Sequence, residues 1–140
     1  MSDLPEATSK QPSQESGQGR ILLAEDDEGV RELLLTVLEN CGYEVTQAAT
    51  GDAALKIFWS GPTFDLVVTD IVMPGTLQGT TLAKMIRKTH PNVPFIFLSG
   101  YAAEATVHGN GLKPEDVRLM KPVPIAELLA AVAMALGKKD

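Results

Sequence analysis

The chain has 140 residues, enough for one domain with a real core but not comfortably for two. Its net charge of -6 leaves no basic excess to neutralise phosphates, which argues against direct binding of nucleic acid. Hydrophobic residues make up 44% of the chain, yet no apolar run approaches the roughly 18 residues that a membrane span needs, so a soluble globular protein is expected.

Residues 1–19 are mostly Ser, Gln, Glu, Pro and Gly, with almost nothing to bury and no apolar stretch of the kind a signal peptide requires. This composition predicts a disordered tail or a linker, followed by one folded domain over residues 20–138. Ile21-Leu22-Leu23-Ala24 is a short continuous apolar run, as a strand buried on both faces requires. Val30, Leu33, Leu34, Val37, Leu38 and Cys41 then follow at helical spacing, and Gly42 is placed to end that helix. Tyr43 to Ala48 reads as a second strand. Asp52 to Phe58 reads as a helix with Ala53, Ala54, Ile57 and Phe58 inward. Asp65 to Thr69 is the clearest strand. Thr80 to Thr89 is a third helix that uses Leu82, Met85 and Ile86. Pro94 to Leu98 and Val117 to Met120 read as the fourth and fifth strands. Ile125, Leu128, Leu129, Val132 and Leu136 give a last helix opened by Pro124. Between Ala102 and Asp116 a helix-like start runs into His108-Gly109-Asn110-Gly111, so only a short, mobile fourth helix is expected there. Five strands alternating with helices imply an α/β fold, a doubly wound parallel sheet flanked by helices on both faces.

In such a sheet, ligands bind beyond the carboxyl ends of the strands. Glu25, Asp26 and Asp27 follow the first strand, and Asp70 ends the third. Ser99 ends the fourth, and Lys121-Pro122 follows the fifth. Three or more carboxylates, a hydroxyl and a lysine therefore converge on one rim. Carboxylates held so close repel one another unless a cation sits among them, and a hard divalent ion with oxygen ligands, Mg²⁺ above all, answers that need. Such an ion also lowers the cost of bringing a phosphoryl dianion to the site. Lys121 offers a point charge, Ser99 a hydroxyl donor, and an aspartate among them can attack phosphorus and hold it as an acyl phosphate.

With Glu25-Asp26 after ILLA, Asp70 in DLVVTDIVMPG, Ser99 in PFIFLSGYA and Lys121-Pro122 in RLMKPVP, the chain resembles the response-regulator receiver (CheY-like) family over about residues 20 to 138. The resemblance implies a (βα)5 flavodoxin-like fold with strand order 2-1-3-4-5. It implies that Asp70 accepts a phosphoryl group from a phosphohistidine, and that Glu25, Asp26, Asp70 and the backbone carbonyl of Val72 hold Mg²⁺. Ser99 and Lys121 would contact the phosphoryl oxygens, helped by the backbone N–H groups of Val72 and Gly100. The implied role is a phosphorelay module of a two-component system, cytoplasmic, monomeric or weakly dimeric, which catalyses its own phosphorylation and dephosphorylation. Its implied partners are a histidine kinase or a histidine phosphotransfer protein. Phosphorylation would shift the face made by the fourth helix, the fifth strand and the last helix, and output would pass through protein contacts rather than DNA.

Three features depart from the family pattern. Arg118 stands three residues before the lysine, where an aromatic switch residue is usual. Tyr101 either substitutes for that aromatic or merely packs over the fourth helix. Neither Val72 nor Tyr101, at positions that influence access of water to the phosphoryl group, can position a water molecule as a carboxylate or amide does, so slow self-hydrolysis is expected. The loop Gly75-Thr76-Leu77-Gln78-Gly79 is one residue longer than the common form and, with LSGYA, is similar to the receivers of hybrid sensor histidine kinases.

Other residues have plainer roles. Asp27 is expected to cap the first helix rather than bind metal. His90 is a solvated helix end, and His108 lacks the partners of a zinc site. Trp59 is a half-buried packing residue, Cys41 inert core, and Met73-Pro74 a shaper of the loop after Asp70. A haloacid-dehalogenase-like phosphatase would need a second Asp where Val72 stands. A flavodoxin-like cofactor binder would need a phosphate-cradling loop where the acids stand. A degenerate receiver used only for docking is the remaining alternative.

Overall fold

A computed structural model describes residues 19–100, 113 and 116–137. Its elements are β1 (Arg20–Ala24), α1 (Glu28–Asn40), β2 (Glu44–Ala48), α2 (Gly51–Ser60), β3 (Leu66–Asp70), α3 (Gly79–Thr89), β4 (Phe95–Ser99), β5 (Val117–Met120) and α4 (Ile125–Gly137). The expected tail, the helix expected after Ala102, and Tyr101 and His108 lie outside the described residues.

All strand pairs are parallel and form one five-stranded sheet in the order β2-β1-β3-β4-β5. This is the doubly wound order expected of a receiver. The apolar runs of β1, β3 and β4 are buried on both faces because alternate side chains enter two separate cores. Leu22, Val67, Phe95 and Phe97 meet Ala54, Leu55 and Phe58 of α2 and Leu82, Ala83 and Ile86 of α3. Ile21, Leu23, Leu66, Val68, Ile96 and Leu98 meet Leu34 and Leu38 of α1 and Leu128 and Val132 of α4. The sheet is thus clamped from both sides, and its carboxyl edge is a firm platform.

Several boundaries differ from the sequence reading. Strands β2, β3 and β4 each begin one residue later than expected, and α2 extends over Gly51–Ser60. The shift makes Asp70 and Ser99 the last residues of their strands. Leu33 does not face the core but is 53% exposed. One residue is about 100° of helical rotation, so the stripe centred on Leu34 and Leu38 leaves Leu33 at its margin, where Leu35 packs on the other side. Helix α1 ends as Cys41 and Gly42 turn their N–H groups back to the carbonyls of Leu38 and Glu39. Pro124 opens α4, its carbonyl accepting from Leu128 N–H at 3.0 Å.

At the amino-terminal edge of the sheet, the end of α3 is tied to the start of β5. Arg87 donates to both oxygens of Asp116, at 2.9 and 2.8 Å, with its guanidinium 4.6 Å from the Phe95 ring centroid. The two side chains are only 9% and 3% exposed. Removing one partner leaves a buried charge uncompensated. Asp116→Ala is therefore expected to lower the free energy of unfolding in urea by about 3 kcal/mol, while replacing both with apolar residues, Arg87→Met with Asp116→Leu, should recover most of the loss.

Candidate functional site

The parallel register brings the strand ends together. Ala24 is opposite Thr69, Asp70 opposite Leu98, and Ser99 opposite Met120. Glu25 leaves β1 with its N–H on Ala48's carbonyl at 3.0 Å, and its side chain is fully buried. Asp70 is 1% exposed at the end of β3. Asp26 is exposed, and its backbone N–H approaches Asp70 Oδ2 at 3.4 Å. Oxygens of Glu25, Asp26 and Asp70 lie within 4.8 Å of one another.

Lys121 reaches across from the far side. Its Nζ lies 2.8 Å from Asp70 Oδ1 and 3.0 Å from Glu25 Oε1, and donates to Glu25 Oε2 at 3.3 Å. The Lys121 backbone N–H donates to Ser99's carbonyl at 2.8 Å, so the lysine is registered on the adjacent strand end. The Lys121–Pro122 peptide bond is cis. Ser99 is 1% exposed. Gly100 beside it is partly buried.

The site is short of positive charge. Among the described residues, the buried oxygens Glu25 Oε1 and Asp70 Oδ1 have the Lys121 ammonium as their ion-pair partner and are otherwise under-coordinated. Burial, with a hydrogen bond and repulsion from Glu25, pushes the Asp70 carboxyl up to about 8, against the pull of Lys121. Burial also works against the Lys121 ammonium, but Asp70 and Glu25 more than offset it and hold the group above its ordinary value. Two buried, under-coordinated carboxylate oxygens beside a third, solvent-facing carboxylate form an all-oxygen donor set. Such a set suits a hard divalent cation that keeps some of its waters, and Mg²⁺ fits it.

The sequence placed Glu25, Asp26, Asp70, Ser99 and Lys121 at one rim, and the structure brings Lys121 into contact with Glu25 and Asp70 there, with an Asp26 oxygen within 4.8 Å of theirs. Val72, expected to offer its carbonyl, lies on the loop two residues beyond Asp70, with its side chain 49% exposed at the rim. Arg118 is exposed in the middle of β5, opposite Phe97. Asp27 is the cap of α1, as expected, its Oδ1 accepting from Val30 N–H at 2.9 Å. Its own N–H donates to Glu25 Oε2 at 2.9 Å, so the cap also fixes an acid of the pocket.

Sequence reasoning missed Arg31. Its Nη1 donates to Glu25's carbonyl at 2.8 Å and its Nε to Gln47 Oε1 at 3.0 Å, bracing the acidic turn against the edge strand. The only available signal was a basic residue one turn into a helix that starts beside a carboxylate run.

Comparison with known proteins converges on one family. The family model described as the response regulator receiver domain matches residues 21–133. The chain is 40% identical over 129 residues to the sensor kinase CckA of Brucella abortus, covering 89% of this chain but 13% of that protein. It is 36% identical to the response regulator receiver protein CpdR of the same organism, covering 84% of this chain and 96% of the other. Among solved structures, the response regulator TrrA of Thermotoga maritima, determined in complex with Mg(2+)-BeF, superposes with a TM-score of 0.75 at 35% identity, covering 85% of this chain and 100% of that one. The chain thus spans nearly all of one relative and a small part of another. Among the described residues, no helix is long and apolar enough to cross a membrane.

The upward displacement of Asp70 has a consequence for stability. Its folded-state value lies above its ordinary value of 3.8, so its contribution to stability is fully present below that value and is lost as pH rises toward about 8. Lys121 is displaced upward from 10.5 and keeps its charge throughout that window. Urea unfolding of the metal-free protein should therefore show stability falling across this range. The slope should flatten in Asp70→Asn and at saturating Mg²⁺.

Proposed function

Since the chain belongs to the response regulator receiver domain family of two-component systems, we propose that Asp70 is its phosphoryl acceptor, with Glu25, Asp26, Asp70 and the Val72 carbonyl as the Mg²⁺ site. The observation that supports this best is one buried carboxylate, Asp70, sharing a pocket with two further acids and a lysine ammonium at 2.8 Å. When bound, the cation supplies positive charge against the developing charge on the phosphoryl oxygens.

The residues divide the work. An Asp70 carboxylate oxygen forms the new O–P bond as the P–N bond of a phosphohistidine breaks, and the imidazole leaves with that electron pair. The fixed strand end holds this oxygen where it can line up with an incoming phosphorus, which supplies orientation in advance. Lys121 then exchanges part of its contact with Asp70 for a phosphoryl oxygen, and Ser99 offers its hydroxyl to another.

The proposed donor is a histidine kinase or a histidine phosphotransfer protein, and the proposed place of action is the cytoplasm, to which a lone, partly buried Cys41 is suited. The likeness to a short part of a sensor kinase accords with the longer loop after Asp70 and supports a phosphorelay role. Nothing in the site favours a docking-only module, since each acidic, hydroxyl and lysine position is filled.

Incubation of the full chain with Mg²⁺ and acetyl phosphate, followed by intact-mass measurement, is expected to show the gain of one phosphoryl group. Asp70→Ala should show none, and Glu25→Gln with Asp26→Asn should show little. An unmodified wild-type chain would overturn the assignment. The flank of Asp70 also carries an expectation for lifetime. Val72 presents an exposed apolar side chain at the rim, with no group to position a water. Once donor is removed, the phosphoaspartate should persist for minutes or longer. Loss within seconds, in the absence of any phosphatase, would contradict this.

A further inference from the structure

The loop between β3 and α3 is held by more ties than its length requires. Gly79 N–H donates to Ile71's carbonyl at 2.7 Å, closing the loop at its base. No side chain fits at Gly79, where a Cβ would lie 1.9 Å from Asp70's carbonyl oxygen. Gln78 precedes α3 at the capping position but makes no capping hydrogen bond. Its amide instead turns back, with Oε1 accepting from Met73 N–H at 2.9 Å and Nε2 donating to Met73's carbonyl at 3.0 Å. Both polar groups of the Met73 backbone are thereby satisfied by one side chain.

A second tie comes from α2. Asp52 in its first turn accepts from the Thr76 hydroxyl through one oxygen and from Leu77 N–H at 3.3 Å through the other. The helix start sits hard against the loop, since a Cβ at Gly51 would lie 2.5 Å from Leu77's carbonyl oxygen. Leu77 itself packs against the core shared by α2 and α3.

Val72 stands between two fixed residues. Ile71 is held by its N–H on Leu98's carbonyl at 3.0 Å and by its carbonyl under Gly79. Met73 is held by Gln78 and has its side chain 3% exposed in the core. The Val72 peptide has little freedom to rotate while both neighbours are pinned.

We propose that Gln78 is a positioning residue for the divalent-cation site, supported by the Asp52–Thr76–Leu77 tie, because together they fix the loop that presents the Val72 carbonyl beside Asp70. This rests on the reading of Val72 as a cation ligand. Groups that orient a metal ligand, without touching the metal, commonly govern affinity as strongly as a weak ligand does. The extra residue in this loop is then accommodated by a side-chain amide that closes the ring, rather than left as slack.

The test is calorimetric titration of the full chain with MgCl₂, alongside urea unfolding without metal. Gln78→Ala is expected to weaken Mg²⁺ binding about tenfold. Gln78→Glu keeps the acceptor for Met73 N–H but loses the donor, and should fall between Gln78→Ala and wild type. Thr76 is exposed, so Thr76→Val should fold normally and still weaken binding, whereas Thr76→Ser should restore it. If Gln78→Ala does not fold, the Thr76→Val and Thr76→Ser pair decides the matter. A wild-type Mg²⁺ affinity in folded Gln78→Ala, or no difference between the two Thr76 variants where they decide, overturns the proposal. A wild-type chain that binds no Mg²⁺ would instead overturn the underlying metal-site reading.

Discussion

Two buried carboxylates held together by a single lysine are the constraint around which the rest of this molecule is organised. Glu25 and Asp70 are almost wholly removed from water, and Lys121 spans both. Burial of an ionised carboxylate is unfavourable unless charge and hydrogen bonds compensate it, and one ammonium cannot saturate four carboxylate oxygens. The fold tolerates the arrangement because the sheet beneath is packed on both faces and cannot relax by letting a strand end swing outward. The strain of like charges is thereby concentrated at one rim and made available to an incoming cation.

The same sheet explains why β5 is tied at both ends. At the carboxyl edge the Lys121 N–H is fixed to Ser99. At the amino edge Asp116 is held by the Arg87 guanidinium, itself laid over Phe95. A strand on the margin of a sheet would otherwise be the easiest to displace. With both ends held, a change at Ser99 and Lys121 is not expected to slide β5 as a unit, and the ammonium of Lys121 is the part free to be redirected.

Much of this was legible in the sequence, for a physical reason. Strands buried on two faces must be continuous apolar runs, so ILLA, LVV and FIFL announced themselves, and the polar residues after them were candidates for the sheet's carboxyl edge. The cap at Asp27 was equally readable, since a carboxylate three residues before the first half-buried apolar residue satisfies a local rule. Leu33 was misplaced because periodicity gives the direction of a stripe but not its width. Arg87 with Asp116, Arg31 with Glu25, and Gln78 with Met73 left no such trace. They are pairwise contacts that turns or tertiary packing create, and no spacing rule links an arginine near a helix end to an aspartate just before a distant strand. Their absence from the sequence reading reflects the difference between patterns imposed by secondary structure and contacts imposed by the assembled fold.

Charge balance suggests why the pocket can serve as a switch rather than a static metal site. With all three carboxylates ionised, one ammonium leaves an excess of two negative charges, which a divalent cation would cancel. On the proposed reaction the Asp70 carboxylate would give way to an acyl phosphate of about -2 when fully ionised, a net gain of about one negative charge, carried on oxygens that project beyond the former carboxylate. Lys121 cannot then remain within 3.0 Å of both Glu25 and Asp70 and also meet the phosphoryl oxygens. It has to give up contacts it makes in the unmodified state. Because its backbone is locked to Ser99, the cost of that exchange falls on groups beside the fourth and fifth strand ends rather than on the core. On the proposed role of Asp70, competition for one ammonium would thus supply a physical origin for a conformational response.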